Sequence, residues 1–488
     1  MNKIGFKNFR KFQNFPVLEL GDINILVGEN NSGKSTFVKA AMLIMNFLKN
    51  AKALREGEMP KFFFSDVPHV NIDTFDRALC NYSKENSITF SVNLKEEFDT
   101  LFEIVIRRET EKGDRSYGYV ENIICTFENE DMDEKKYVLF KIIFDFTKKL
   151  TVFESMEGEN IYPIMLPLNC NTEKTDNLIL SLFDDIISYD RDSNNVFDNK
   201  TKSSDFQRAF LSNDELELLI DSIYIVDMQR TSLAHSLTWP VEYIYAHGAS
   251  QNPLFDTRNL NDISAKVVER FYKISGYKPV MDFVRKWLEE FGIGSNLSVE
   301  CIEGTVYKVT IKKGTRKTNL GDLGMGSIQL VILIMHIAEL VNQMGGFYDS
   351  SLDNETMVFI EEPEQNLHPA LQSRLADFFL DVVRNYGGVF IIETHSEYLV
   401  RRSQVLVAED NMDGEHKMSD NGFLNATHKR TYYKKANELF SVFYFGADGF
   451  RIMKYMKNGR FDQPFGSGFF DESGKSNIKL MQIERGIK

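Results

Sequence analysis

The chain has 488 residues and a formal net charge of −14, a balance that excludes a general nucleic-acid coating protein. With 43% hydrophobic and 12% aromatic residues it can build a sizeable core, as two or three domains or as one domain with a large insertion. No signal segment precedes the first expected strand, no apolar stretch reaches membrane-spanning length, and the four cysteines Cys80, Cys125, Cys170 and Cys301 form neither a metal motif nor a disulfide framework; a cytoplasmic protein without a membrane is expected.

The first strand starts at Lys3-Ile4 and runs into the basic turn Arg10-Lys11. Arg10 reads equally as a nucleotide contact and as a solvated turn residue. The apolar run Ile23, Ile25, Leu26, Val27 then leads into Gly28-Glu29-Asn30-Asn31-Ser32-Gly33-Lys34-Ser35, followed by the helical start Thr36-Phe37-Val38. This is the phosphate-binding pattern G-x-x-x-x-G-K-[ST] between a strand and a helix, so ATP binding is expected over residues 28–36. Gly28 and Gly33 let the backbone curl with its N–H groups inward, and the helix adds its positive end. Lys34 is assigned to the β- and γ-phosphates, and the Ser35 hydroxyl to Mg²⁺.

Ser87–Val92, Leu101–Arg107, Tyr117–Phe127 and Tyr137–Phe146 alternate or run apolar with β-branched and aromatic residues, split by turns such as Lys112-Gly113-Asp114. They predict an antiparallel sheet laid on the first lobe, with Glu128–Glu134 as its solvated loop. Leu178–Ile187 and Asp214–Ile223 predict helices flanking a polar segment, Asp190–Asp205. No long heptad region occurs, which rules out a chromosome-spanning coiled coil. A basic track, Lys308 with Lys312-Lys313-Gly314-Thr315-Arg316-Lys317, falls on an expected hairpin. It reads either as a solvated tip or as a phosphate-backbone contact.

Asp322-Leu323-Gly324-Met325-Gly326-Ser327 precedes the apolar helix Leu330–Leu340, putting small residues and backbone N–H groups at a helix start. A second anion site is surplus to one nucleotide, and is explained if Gly324, Gly326 and Ser327 cover the γ-phosphate held by another protomer. Met357-Val358-Phe359-Ile360-Glu361-Glu362 reads as a buried parallel strand with two carboxylates at its C-terminal edge. Glu361 is assigned to the Mg²⁺ shell and Glu362 to the attacking water as general base. Pro363-Glu364-Gln365-Asn366-Leu367-His368-Pro369 follows, and a last buried strand ends in Glu393-Thr394-His395-Ser396, with His395 placed to sense the γ-phosphate.

In this order the motifs resemble the ATP-binding-cassette ATPases of the SMC and RecF branch, and more narrowly the OLD-type ATPases of bacterial defence genes. Ile4 to Phe12 is similar to the opening strand and turn of that branch, and Gly446 to Phe470 to its usual end. The resemblance implies an α/β fold: an ABC-type P-loop ATPase head with an antiparallel β subdomain and an α-helical insertion. The corresponding division is 1–165, first lobe; 166–222, helical insertion; 223–320, helices and hairpin leading to the signature; 321–488, second lobe with signature, Walker B, D-loop and H-loop. It also implies a homo-oligomer through head-to-tail dimers, each composite site using one subunit's phosphate loop and the other's signature.

The chain departs from that pattern at three points. The metal acid is Glu361 where most of the superfamily has Asp, and Gly324 stands where a serine is usual, removing one hydroxyl contact to the γ-phosphate. No glutamine loop is evident, and Gln229 is the best substitute. Three functions follow from the resemblance. The first is the ATPase sensor and scaffold of an anti-phage system such as PARIS or Septu, triggered by nucleic acid or a phage protein and controlling a separate nuclease or toxin effector. The others are a RecF-like DNA-repair ATPase and a self-contained OLD-type nuclease. For the nuclease, Val405–Asp410 superficially resembles the first strand of a TOPRIM domain, but no D-x-D pair follows it.

Overall fold

Phenylalanines at strand spacing dictate the first sheet. In the structure, a computed structural model, the described residues are 3–52, 58–65, 67, 70–93, 100–108, 115–128, 136–145, 147–148, 150–155, 164–168, 177–195, 224–231, 233–234, 241–245, 254–258, 263–344, 356–412, 434–447, 449–466, 469–471, 475 and 479–482. They fall into two units, Met1–Leu20 with Ser35–Thr238 and Gly21–Lys34 with Trp239–Lys488.

In the first unit, β1 (Lys3–Phe9) buries Ile4, Phe6 and Phe9, and Phe6 stacks on Phe15 of β2 (Phe12–Glu19) with ring centroids 4.6 Å apart. Offset aromatic stacking adds to the apolar area removed from water. β1 also pairs with β5 (Ser87–Val92), and the antiparallel sheet continues through β6 (Thr100–Arg107), β7 (Tyr117–Glu128), β8 (Lys136–Asp145) and β9 (Leu150–Ser155) to β10 (Ile164–Leu168); β4 (Lys61–Phe63) joins β7. The four strands expected from alternation are therefore the middle of a nine-stranded sheet whose end includes the first hairpin. Helix α1 (Lys34–Asn50) packs on it through Phe37 against Phe15 and Phe47 against Phe62. α2 (Phe75–Ala78) is a single turn capped by Thr74. α3 (Leu178–Asn195) starts at an Asn177 whose Oδ1 accepts from the amides of Ile179 and Leu180 at 3.1 Å, an N-cap that satisfies two otherwise orphaned donors. The turn at 112–114, the loop at 129–134, residues 196–205, the helix expected over Asp214–Ile223 and Cys170 lie outside the described residues.

The second unit is built on a sheet of order β11–β16–β17–β3–β18–β19, parallel except for the last pair. β3 (Ile23–Gly28) lies inside it and is buried along its whole length, as are the first four residues of β16 (Met357–Glu361), the near-continuous apolar pattern that a sheet covered on both faces demands. Asn24 interrupts that pattern for a reason. Its side-chain amide donates to the carbonyls of Gly21 and Phe390 at 2.7 and 3.1 Å, and its Oδ1 accepts from Gly21 N, closing the turn into the strand. β11 (Val241–Tyr245) forms one edge; β17 (Val389–Thr394), β18 (Phe440–Gly446) and β19 (Gly449–Met453) complete the sheet.

A smaller antiparallel sheet holds β12 (Phe255–Asp256), β13 (Asn296–Ile302), β14 (Val306–Lys313) and β15 (Arg316–Asn319). The basic track thus does lie on a hairpin, turning at Gly314 with φ +60°. α4 (Ile263–Ile274), α5 (Lys278–Glu290) and α6 (Met325–Gln343) follow in the chain around this sheet, and α7 (Pro369–Tyr386) and α8 (Glu397–Met412) connect the parallel strands. A last turn, α9 (Ala436–Leu439), leads into β18. Trp287 of α5 meets Phe378 of α7 edge to face at 4.8 Å while its indole N–H donates to Asp381, so a large apolar group is buried without orphaning its donor.

α6 is 19 residues long with mean hydropathy 1.6 over its most apolar window, so one stretch does reach membrane-spanning length. That window is 67% buried within the protein, and its apolar side chains belong to the core shared with α4, α5 and α7. The physical reason is packing on all sides: a central helix is apolar all round for want of a solvent face.

Candidate functional site

The loop after β3 is shaped by close backbone approach. A Cβ on Gly28, whose φ is +153°, would stand 2.0 Å from the carbonyl oxygen of Phe445 on β18. Glu29 N donates to that same carbonyl at 3.3 Å, while Asn31 and Gly33 take φ of +58° and +117°. Such a run of left-handed residues turns successive N–H groups toward one concavity. α1 opens at Lys34, with Ser35 and Thr36 as its next residues. Lys34 is 3% exposed, and its Nζ donates to the carbonyls of Gly28 and Glu29 at 2.9 Å each. Burial pulls the ammonium's pKa below its usual value, opposed by Glu393, Glu362, Glu364 and Glu29. Gly28→Ala is accordingly expected to destabilise the protein by at least about 2 kcal/mol, because the new methyl must push β18 from β3. Denaturant unfolding measures it, and an unchanged midpoint would contradict the close approach.

The parallel register brings the strand ends level. Tyr245 pairs with Glu361, Glu361 with Glu393, and Thr394 with Val27, so the phosphate loop and both acidic strand ends share the C-terminal edge, where α/β sheets bind ligands. Glu361, the last residue of β16, accepts a hydrogen bond from the Tyr243 hydroxyl on β11. Glu362 is held in the left-handed region at φ +45°, a conformation that costs a non-glycine residue of order 1–3 kcal/mol and concentrates at functional sites. Its amide donates to Glu393 O at 2.7 Å, and its carboxylate accepts from the Gln365 side chain. The His395 Nε2 lies 3.6 Å from Glu362 Oε1. Burial first and the Lys34 ammonium second push the imidazole's pKa below its ordinary value, against the pull of Glu362. At neutral pH His395 is therefore a neutral ring.

Glu364 was not assigned a role from sequence. Its side chain accepts from the His395 amide at 2.6 Å, and burial raises its pKa. It fixes the backbone that carries the histidine. Ser396 donates to Gln372 and accepts from Leu399 N, which ties the end of β17 to α7 and caps α8.

Gly324 is the N-cap of α6, so the helix begins earlier than the expected Leu330 and takes Gly326 and Ser327 into its first turn. The two glycines differ. A Cβ on Gly326 would stand 2.5 Å from Asn366 O, against the segment after β16, whereas one on Gly324 meets nothing within 4 Å. Gly326 is therefore required by packing inside the head, and Gly324 leaves its side open.

Gln229 is fully buried in the first unit with its amide donated to Thr100 Oγ1 at 2.6 Å, so its side chain is committed to that core rather than to a nucleotide. Arg10 takes φ +52°, its amide donates to Ala78 O, and burial lowers its pKa; it is half-buried rather than a solvated turn residue. Val405–Asp410 lies within α8, not on a strand, which removes the superficial likeness to a nuclease domain. Sequence reasoning also missed Tyr243, whose edge strand carries no motif.

Residues 1–400 match the family model described as the AAA ATPase domain. No curated protein matches. Among solved structures the chain is similar to an SMC head bound to the C-winged helix domain of ScpA, with 13% identity, 82% of this chain and 91% of that chain covered, and a TM-score of 0.36. An Smc head with an extended coiled coil bound to the C-terminal domain of ScpA, from Pyrococcus furiosus, gives 13% identity, the same coverages and a TM-score of 0.33. The SMC head domain from Thermotoga maritima gives 11% identity over the same shares and a TM-score of 0.31. Likenesses this loose carry no argument.

Proposed function

This chain belongs to the AAA ATPase domain family, and from that premise we propose that it hydrolyses ATP at the edge formed by β3, β16 and β17. The observation that carries the reading is a buried lysine, Lys34, whose ammonium feels the charge of Glu362, itself 3.6 Å from a histidine at the next strand end. Lys34 exchanges its two loop carbonyls for phosphate oxygens, so the buried ammonium keeps its hydrogen bonds on binding. Glu362 takes the proton of the attacking water, and His395, neutral at physiological pH, donates toward the γ-phosphate.

Mg²⁺ suits the donor set. Ser35 offers a hydroxyl and Glu361 a carboxylate, the hard oxygen ligands that Mg²⁺ takes one or two at a time, leaving the rest to water and phosphate. Among the described residues no cluster of three His, Cys, Asp or Glu offers an all-protein cage. When bound, the ion would offset charge on the transferring phosphoryl group.

Beyond hydrolysis, the proposed biological role is an ATPase sensor and scaffold that assembles through head-to-tail dimers and controls a separate nuclease or toxin in anti-phage defence. Its support is the ordered set of L-G-x-G, E-E-P-E-x-x-L-H-P and E-T-H-S segments that resembles OLD-type defence ATPases. Purified protein is expected to hydrolyse ATP with Mg²⁺ and leave DNA and RNA uncut, even with Mn²⁺. Cleavage by this chain alone, lost in Glu409→Ala and kept in Lys34→Ala, would overturn the separate effector.

A further inference from the structure

Two adjacent residues of β11 face opposite sides of the sheet, as strand geometry requires, and each is tied to a different part of the second unit. Tyr243 donates to Glu361 at the end of β16. Glu242 points the other way, where its carboxylate lies 3.3 Å from Arg270 Nη1 of α4 and 3.3 Å from His336 Nε2 of α6. Arg270 in turn reaches His336 Nε2 at 3.1 Å and Glu339 Oε2 at 3.6 Å. Glu339 and His336 are 6% and 3% exposed, and they stand one turn apart on α6, whose first turn carries Gly324, Gly326 and Ser327.

Two buried polar side chains, His336 and Glu339, tied to the half-buried Arg270 and Glu242 where apolar packing would serve, need a reason, because desolvation cancels most of what such a network gains in stability. A rigid joint is one. His336 and Glu339, buried on α6, have few alternative partners, so a shift of α6 along its axis must either carry Arg270 and Glu242 with it or leave a buried polar group without its bond. Here the hydrogen-bonded neighbour of that joint is the carboxylate assigned to the metal.

We propose that β11 is a relay between the helix that opens at Gly324 and the acid Glu361, with Tyr243 as the positioning residue for Glu361 and Arg270 as the joint. The relay rests on the ATP-hydrolysis reading above, and regulates that same site: movement of α6 when Gly324 meets a nucleotide resets the rotamer of Glu361, and an ordered Glu361 in turn holds α6. Tyr243 contacts no reacting atom. Its hydroxyl holds one oxygen of that carboxylate, Oε2.

The test uses the full chain and a non-hydrolysable ATP analogue titrated with Mg²⁺. Tyr243→Phe removes only the hydroxyl, and the relay expects the Mg²⁺ midpoint to rise by roughly tenfold, the scale of losing a group that orients a metal ligand, with metal-free nucleotide affinity unchanged. An unchanged or lowered midpoint would overturn it. Glu242→Gln, which keeps the shape and an acceptor, should shift the midpoint in the same direction, and the double variant should fall short of the product of the two single shifts. Multiplicative shifts would show two independent effects and sink the relay. If Glu242→Gln does not fold, His336→Gln takes its place. A readout independent of metal affinity is amide exchange at Met325–Leu330: analogue with saturating Mg²⁺ should slow it in the unsubstituted protein and not in Tyr243→Phe, and equal slowing in both refutes coupling. Failure of the underlying reading is separable, since it appears as an unsubstituted protein that binds no analogue or as Lys34→Ala binding it normally.

Discussion

Glu362→Gln should bind ATP as tightly as the unsubstituted protein while hydrolysing it roughly 10²- to 10⁴-fold more slowly, the range lost when a general base is removed. The substitution conserves shape and keeps a side-chain oxygen for the Gln365 bond, so the strained backbone at φ +45° is not disturbed. What it removes is the proton acceptor 3.6 Å from His395. Lys34→Ala is expected to act on the other side of the balance and weaken binding itself, because the loop loses its only ammonium. Nucleotide binding by filter retention and phosphate release under saturating ATP separate the two effects. Normal turnover by the glutamine variant would remove Glu362 from the chemistry and leave it a structural residue at the end of a strand.

That site was legible from sequence because each part is local. A phosphate loop needs glycines, a lysine and a hydroxyl within eight residues, and the acids and the histidine each sit within three residues of the end of an apolar run. The parallel sheet then does the long-range work, bringing Val27, Glu361 and Thr394 to one edge through register alone. What could not be read depends on partners far apart in the chain. Tyr243 is 118 residues from Glu361, and Arg270 is 66 from His336. Neither pair leaves a periodic signal.

The misplaced features have the same origin. Gln229, the best substitute for a glutamine loop, and Arg230 beside it are both taken up within the first unit, by Thr100 and Asp184. Val405–Asp410 has the apolar run of a strand. It forms turns of a helix instead, and Arg384 and Ala436 hold its last residue: Arg384 pairs with Asp410 at 3.0 Å, and Asp410 accepts from Ala436 N at 2.7 Å. Short apolar runs are ambiguous between the two periods, and tertiary partners decide. The four alternating runs gave only the middle of the first sheet: β9 and β10 lie beyond them, and β1–β2 are distant from them in sequence.

Gly324→Glu is expected to abolish ATP-driven association and lower hydrolysis by at least about 10²-fold, the scale of losing a whole set of transition-state contacts, while each isolated head binds ATP normally. Gly324 makes this a clean probe in a way that Gly326 cannot. Its backbone, at φ −64° and ψ 149°, suits any residue, and a Cβ there meets nothing within 4 Å. A carboxylate at a helix N-cap is itself favourable for folding, through the dipole and the free amides of the first turn. Stability should therefore hold or rise slightly. The same carboxylate facing a γ-phosphate on a second protomer is repulsive, and in a closed interface from which water is excluded the repulsion is poorly screened. Sedimentation with ATP reads the association, and mixing with Lys34→Ala subunits reads the geometry. The mixed dimer pairs one intact phosphate loop with one intact signature at a single site, so activity should recover to no more than one of the two sites per dimer. Full hydrolysis by Gly324→Glu alone would show that each head completes its own site and that the opening of α6 serves the fold only.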